Sequence, residues 1–137
     1  MNRIFKFRCW DADNQRMIPF HQMIDDHWGI ADVNTEDVMQ YTGFNNKDGG
    51  EVYEGDIFRI EEDTDEGTEF IYVVVVWVQE WAMFTTLRIE DEYQAYLLEG
   101  VDAIDETMFW TYTLEDISSP KHFPCGNLYE NPELLQP

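Results

Sequence analysis

The chain has 137 residues, 44% hydrophobic and 15% aromatic, with 29 acids against eight Lys and Arg, a net charge of −21. A chain of this length fits one domain, residues 1–137, and buries about 65–70% of its unfolded surface, so an ordinary core can hold it. The aromatic content sets it apart from disordered acidic chains; the charge repels nucleic-acid phosphates, so a basic protein surface is the expected partner and nucleic acid is not.

Ile4 to Trp10 reads as a first strand, with Phe5, Phe7 and Cys9 on one face and Lys6 and Arg8 on the other. Asp11-Ala12-Asp13-Asn14 is a turn signal, and Arg16 to Ile18 is a short return strand. Residues 20–37 show no clear period, although Asn34-Thr35-Glu36-Asp37 has the residue types that cap a turn of helix. Val38 to Thr42 reads as extended. Asn45 to Gly50 is a turn, because Asn, Asp and Gly tolerate left-handed backbone. A strand follows within Glu51 to Ile60, beginning around Gly55-Asp56; there the Asp56 carboxylate is expected to cap local backbone amides. The run Glu61 to Glu69, with six carboxylates and Gly67, reads as a solvated loop.

Phe70 to Val78 is a strand; its four consecutive valines imply burial on both faces. Gln79-Glu80 turns the chain into a returning strand, Trp81 to Leu87, with Trp81, Met83 and Leu87 on one side and Ala82 and Phe84 on the other. Ile89, Tyr93, Tyr96 and Leu97 stand at helical spacing, predicting a short helix over 89–99 that Gly100 ends, with Glu90-Asp91-Glu92 on its outer face. Thr107 to Leu114 alternates, placing Met108, Trp110, Tyr112 and Leu114 on one face. Ser118-Ser119-Pro120 breaks the chain, and a short tail runs from Cys125. Five to seven short strands with polar turns predict a small antiparallel barrel or sandwich in which helix is minor.

The N-terminus lacks the continuous apolar stretch of a signal peptide, and the longest apolar run, Tyr72 to Val78, is far short of the ~20 residues a membrane helix needs. A cytoplasmic protein with free thiols at Cys9 and Cys125 is expected. His21 and His27 are six apart and His122 stands alone, so neither metal-ligand spacing nor any cofactor motif is present. No catalytic residue is assigned. Trp77, Trp81, Phe84, Phe109, Trp110 and Tyr112 either fill the core or line a groove. The carboxylates of Glu61, Glu62, Asp63, Asp65, Glu66, Glu90, Asp91 and Glu92 form the candidate partner-binding surface.

Several segments carry a resemblance together: Ile4 to Asp11, Met17-Ile18, Met39 to Phe44, Asn46 to Gly49, Glu51 to Ile57, and Gly126 to Leu135. In this order the chain resembles the YopX family, carried largely by bacteriophages and prophages. Cys9 departs from the family's small residue, Pro124-Cys125 departs from its aliphatic pair, and residues 60–70 and 89–116 are more acidic. The resemblance implies a mainly β, partly open antiparallel barrel of the Src-homology-3 type, with extra strands and one or two short helices. It implies structural roles for Trp10, Asp11, Gly43, Tyr53, Gly55, Asp56, Asn127, Tyr129, Asn131 and Pro132. Gly43, Gly49 and Gly55 would set backbone geometry, and Tyr129 and Leu134 would tie the tail to the barrel. It implies no activity. The expected function is that of a non-enzymatic accessory protein that binds another protein or a second copy of itself. Two alternatives are an acidic DNA mimic that occupies a host DNA-binding protein, and a metal-dependent hydrolase using loop carboxylates, which requires three or more acids converging in a pocket.

Overall fold

A run of four valines between aromatic residues is too apolar to leave either face in water. The computed structural model describes residues 4–28, 35–104 and 114–135, and in it that run lies between two cores. Four strands form a first antiparallel sheet: β1 (Phe7–Asp11), β2 (Arg16–Ile18), β3 (Val38–Asn45) and β4 (Glu51–Tyr53), in the order β2-β1-β3-β4. Four more form a second: β5 (Asp56–Thr64), β6 (Gly67–Val78), β7 (Met83–Arg88) and β8 (His122–Asn127), in the order β7-β6-β5-β8. The chain is thus mainly β, two antiparallel sheets with one curled into a half-barrel, and two short helices, α1 (Phe20–Asp25) and α2 (Gln94–Glu99). This is the partly open barrel with added strands that the sequence implied.

Val73 and Val75 face Val52 of β4, Phe58 and Ile60 of β5, and Leu114 and Ile117 of a 3₁₀ turn, Leu114–Ser118. Val74, Val76 and Val78 face the other way, onto Ile57, Leu87, Ile89, Tyr93 and Ile104. A third cluster on the first sheet joins Trp10, Met39, Tyr41 and Tyr53, with Tyr129 packed against it.

Several elements differ from the sequence reading. The acidic run Glu61 to Glu69 is a hairpin arm rather than a loop. β5 and β6 stay in register from Glu61–Phe70 through Glu62–Glu69 and Asp63–Thr68 to Thr64–Gly67. The Thr64 hydroxyl closes the turn by donating to the Gly67 carbonyl at 2.8 Å. Charge signals solvent but does not forbid a ladder, because alternate side chains can point to water on both faces of a two-stranded ribbon.

Residues 20–37, which showed no period, begin with α1 after Pro19, a residue with no amide hydrogen to lose at a helix start. Trp81 closes a 3₁₀ turn, Gln79–Trp81, and the strand starts at Met83 after Ala82 in left-handed conformation. The predicted helix over 89–99 is a π-helical turn, Ile89–Tyr93, continuing into α2 and ending at Gly100 with φ +78°. The tail holds a strand that the sequence hid. β8 contains Pro124, which a sheet tolerates at an edge, and β8 is the edge beside β5. The alternation of Met108, Trp110 and Tyr112 lies outside the described residues. No described helix is long and apolar enough to cross a membrane.

Candidate functional site

The motif residues converge where the two sheets meet. Asp56 opens β5, and one carboxylate oxygen accepts the Tyr53 backbone N–H at 2.8 Å, the local cap expected of it. Its other oxygen accepts Arg8 Nη2 of β1 at 2.6 Å, with both side chains only 15% exposed. The Arg8 guanidinium also lies 4.7 Å from the centre of the Tyr53 ring. Burial lifts the Asp56 carboxyl above its ordinary value, although Arg8 and the Tyr53 amide pull the other way. Glu54 is lifted for the same first reason, and its Oε1 accepts the Gln40 N–H at 2.8 Å.

Between these acids Gly55 turns the chain with φ +89°, a conformation that other residues enter only with strain. Its N–H donates to Val75 at 2.8 Å and its carbonyl accepts from Leu128 at 2.9 Å, so one residue ties β4, β6 and the tail together.

The tail is knotted by its asparagines. Asn127 Oδ1 accepts the N–H groups of Tyr129 and Glu130 at 3.0 and 2.9 Å, while Asn131 Oδ1 accepts the Asn127 N–H at 3.2 Å. The Asn131 side chain sits over Gly126, in space that any Cβ would need. Tyr129 stacks on Trp10 with ring centres 5.6 Å apart and donates its hydroxyl to the Glu36 carbonyl at 3.0 Å. Pro132 opens a 3₁₀ turn, Pro132–Leu135, that seats Leu134 and Leu135 on the second core. Asp11 folds back on Asn14, whose side-chain amide donates to it at 2.7 Å and holds its carboxyl below the ordinary value. The motif residues are therefore a structural junction. The Arg8–Asp56 link was not foreseen, because Arg8 was read only as the outer face of a strand.

The candidate acidic surface divides. Glu61, Glu62, Asp63, Asp65 and Glu66 lie on the hairpin arm, and Glu90 and Asp91 are exposed at the start of the π-helical turn. Glu92 does not belong to this surface. It is 5% exposed, and its Oε1 accepts the Arg88 N–H at 3.1 Å. An acid four residues into a helical turn reaches back to the entering amide, and that use wins over solvent. Among the described residues no three His, Cys, Asp or Glu side chains gather closely enough to hold a metal ion. Cys9 and Cys125 are free thiols, both pushed up by burial. His122 is buried with neither ring nitrogen bonded to protein, and burial lowers its pKa.

Two concavities among the described residues bear on binding. The larger, about 540 Å³, opens between β3 and the β6–β7 turn and is lined by Ile4, Tyr41, Gly43, Trp77, Met83 and Phe84 among others. Trp77 and Phe84 pair across the strands edge to face at 4.9 Å, and the indole N–H donates to Gln79 at 2.9 Å. Trp77 is 37% exposed and Ile4 62%. β7, at the end of its sheet, borders the groove. Of the aromatics weighed from sequence, Trp77 and Phe84 line this groove and Trp81 packs on the second core, while Phe109, Trp110 and Tyr112 lie outside the described residues. The smaller concavity, about 380 Å³, lies beside Phe70, Tyr72, Ile89 and Leu134.

Comparison with solved structures finds the same fold in protein EF1440 from Enterococcus faecalis. The TM-score is 0.56 at 21% identity, over 98% of this chain and 100% of that one. The curated proteins hold no match. A family model described as YopX protein matches residues 6–136, and the chain belongs to the YopX family.

Proposed function

We propose that the chain is a non-enzymatic accessory protein of a phage or prophage, acting in the bacterial cytoplasm by binding another protein. Its binding site in this reading is the groove between β3 and β7, and its occupant an extended, apolar segment of the partner. One observation carries the reading: an exposed Trp77, braced by Phe84, stands in a 540 Å³ groove beside the end strand of a sheet. An end strand offers unsatisfied backbone donors and acceptors to an added strand, and a braced Trp is the residue type that dominates binding energy. The net charge of −21 supports a partner whose surroundings are basic and whose encounter is steered at low salt.

The test is capture from bacterial lysate at low and high salt, with wild type beside Trp77→Ala and Ile4→Glu. Ile4 is too exposed for its replacement to disturb the fold. The reading expects one protein recovered in matching amounts by the wild type and lost with both variants. A strictly monomeric mass with nothing recovered at either salt overturns the binding reading. Equal recovery by all three proteins removes the groove from it.

A further inference from the structure

Seven Lys and Arg residues lie among the described residues, and six of them meet a carboxylate within 4.0 Å: Lys6, Arg8, Arg16, Lys47, Arg88 and Lys121. Arg59 of β5 meets none among the described residues. It points to the face of the second sheet opposite the Trp77 groove, since its cross-strand partners are Tyr72 and Phe123 while Trp77 pairs with Phe84 on the other side. Its guanidinium carbon lies 4.8 Å from the centre of the Phe70 ring and 5.0 Å from that of Phe123. Its Nε is buried without an acceptor.

The two rings near the guanidinium give it apolar contact without accepting its in-plane N–H donors, and a flat fork of donors matches a planar carboxylate with two parallel hydrogen bonds. The surroundings are open and mixed. Phe70 is 52% exposed and Tyr72 37%, and the 380 Å³ concavity beside them has an apolar wall of Ile71, Ile89 and Leu134 and a charged rim of Arg88, Glu90 and Asp91.

We propose that Arg59 is the receptor for a single carboxylate side chain of a partner protein, and that Phe70, Phe123 and the adjoining concavity take the apolar residues flanking that carboxylate. This rests on the protein-binding reading but concerns a second surface. A carboxylate fits better than a phosphate for two reasons. The chain's field of −21 opposes a dianion twice as strongly as a monoanion. The nearby cations, Lys47 and Lys121, already hold Asp48 and Asp63, so a phosphate would find one free cation where it normally gathers several. A lone ion pair in water contributes little, so the apolar flanks are needed for affinity.

The experiment follows the arginine Nε–Hε resonances of the full chain by NMR. The probes are an acetylated leucine–glutamate–leucine tripeptide amide, its glutamine counterpart and inorganic phosphate. The glutamate peptide should shift the Arg59 resonance saturably, and the glutamine peptide should bind about two- to fivefold more weakly, the loss expected for a partly exposed ion pair. Arg59→Lys should lose the preference for glutamate over glutamine, and Phe70→Ala, which removes a half-exposed jaw, should weaken both peptides. The proposal is overturned if the two peptides bind alike, if phosphate shifts Arg59 more than the glutamate peptide does, or if the exposed Arg16 responds as strongly as Arg59. A negative titration beside a successful lysate capture removes this site and leaves the binding reading standing; a positive titration beside equal capture by wild type, Trp77→Ala and Ile4→Glu removes the groove reading alone.

Discussion

Asp56→Ala isolates the contact that joins the two sheets. The carboxylate holds the Arg8 guanidinium at 2.6 Å and the Tyr53 amide at 2.8 Å, in a place where both charged side chains are 15% exposed. Removing it strands a buried cation whose Nε already lacks a partner, pinned over the Tyr53 ring. Breaking a buried pair from one side costs about 3–5 kcal/mol. At roughly 0.05–0.15 kcal/mol per residue, a chain of this length has about 7–20 kcal/mol in total, so the loss is a large share. The melting temperature should fall by about 6–20 °C. Arg8→Met, which strands the carboxylate, should cost a similar amount. The double variant strands neither charge and leaves only the Tyr53 amide without its acceptor, about 1–3 kcal/mol. Urea unfolding of the four proteins, followed by far-UV circular dichroism, measures the cycle. Additivity within about 0.5 kcal/mol, or a cost below about 1 kcal/mol for Asp56→Ala, would refute the reasoning.

Acids that are neighbours in sequence should behave differently. Glu92→Ala should cost about 1–3 kcal/mol by stranding the Arg88 amide, while Glu90→Ala should stay within about 0.5 kcal/mol, and equal losses in thermal melts would contradict the assigned burial. Stability should also carry opposite pH signatures from two groups. Asp56 and Glu54 have carboxyls raised by burial, so they protonate in the folded state first; their contribution grows as pH falls through the raised values and is complete at the ordinary carboxylate value. His122 is lowered by burial, so its contribution is full above about 6.5, the ordinary histidine value, and is lost as pH falls below it. Urea midpoints across pH should therefore show the wild type gaining on Asp56→Asn in acid, and His122→Leu gaining on the wild type below that value; parallel curves would contradict both signs.

The residues that a strand needs were visible before the structure. Val73 to Val76 announced a doubly buried strand because apolarity on both faces has few other uses. Gly100 announced a helix end, and Asp56 a local cap. What stayed hidden depends on distance along the chain. Arg8 and Asp56 are 48 residues apart, so nothing local marks one as the other's partner. Glu92 looks like Glu90 until a helical turn carries it back onto an amide. The β8 strand contains a Pro that local rules read as a breaker, and only its place at the sheet edge makes that Pro acceptable. The two candidate binding surfaces were beyond sequence reasoning for the same cause. Trp77 and Phe84 form a pair by cross-strand register, and Arg59 stands out only once every other described cation has found its acid.

The hairpin arm has a consequence for how the molecule opens. β8 leaves the side of β5 at Ile60, and β7 leaves the side of β6 at Val73, so beyond the Glu61 N–H, which still donates to the Lys121 carbonyl at 3.1 Å, the backbone of the ribbon from Glu61 to Phe70 pairs only with itself. Two strands without a covering layer are marginal alone and fray from the tip at free energies far below global unfolding. Amide exchange should therefore run as a gradient along β6, fast at Thr68 and slow at Val74, with the chain otherwise intact. The arm behaves as a small cooperative unit joined to the rest at its root and by the exposed Lys121–Asp63 pair. That isolation lets five carboxylates crowd onto the β5 strand and its turn, because their repulsion loosens a segment whose opening does not propagate into the sheets.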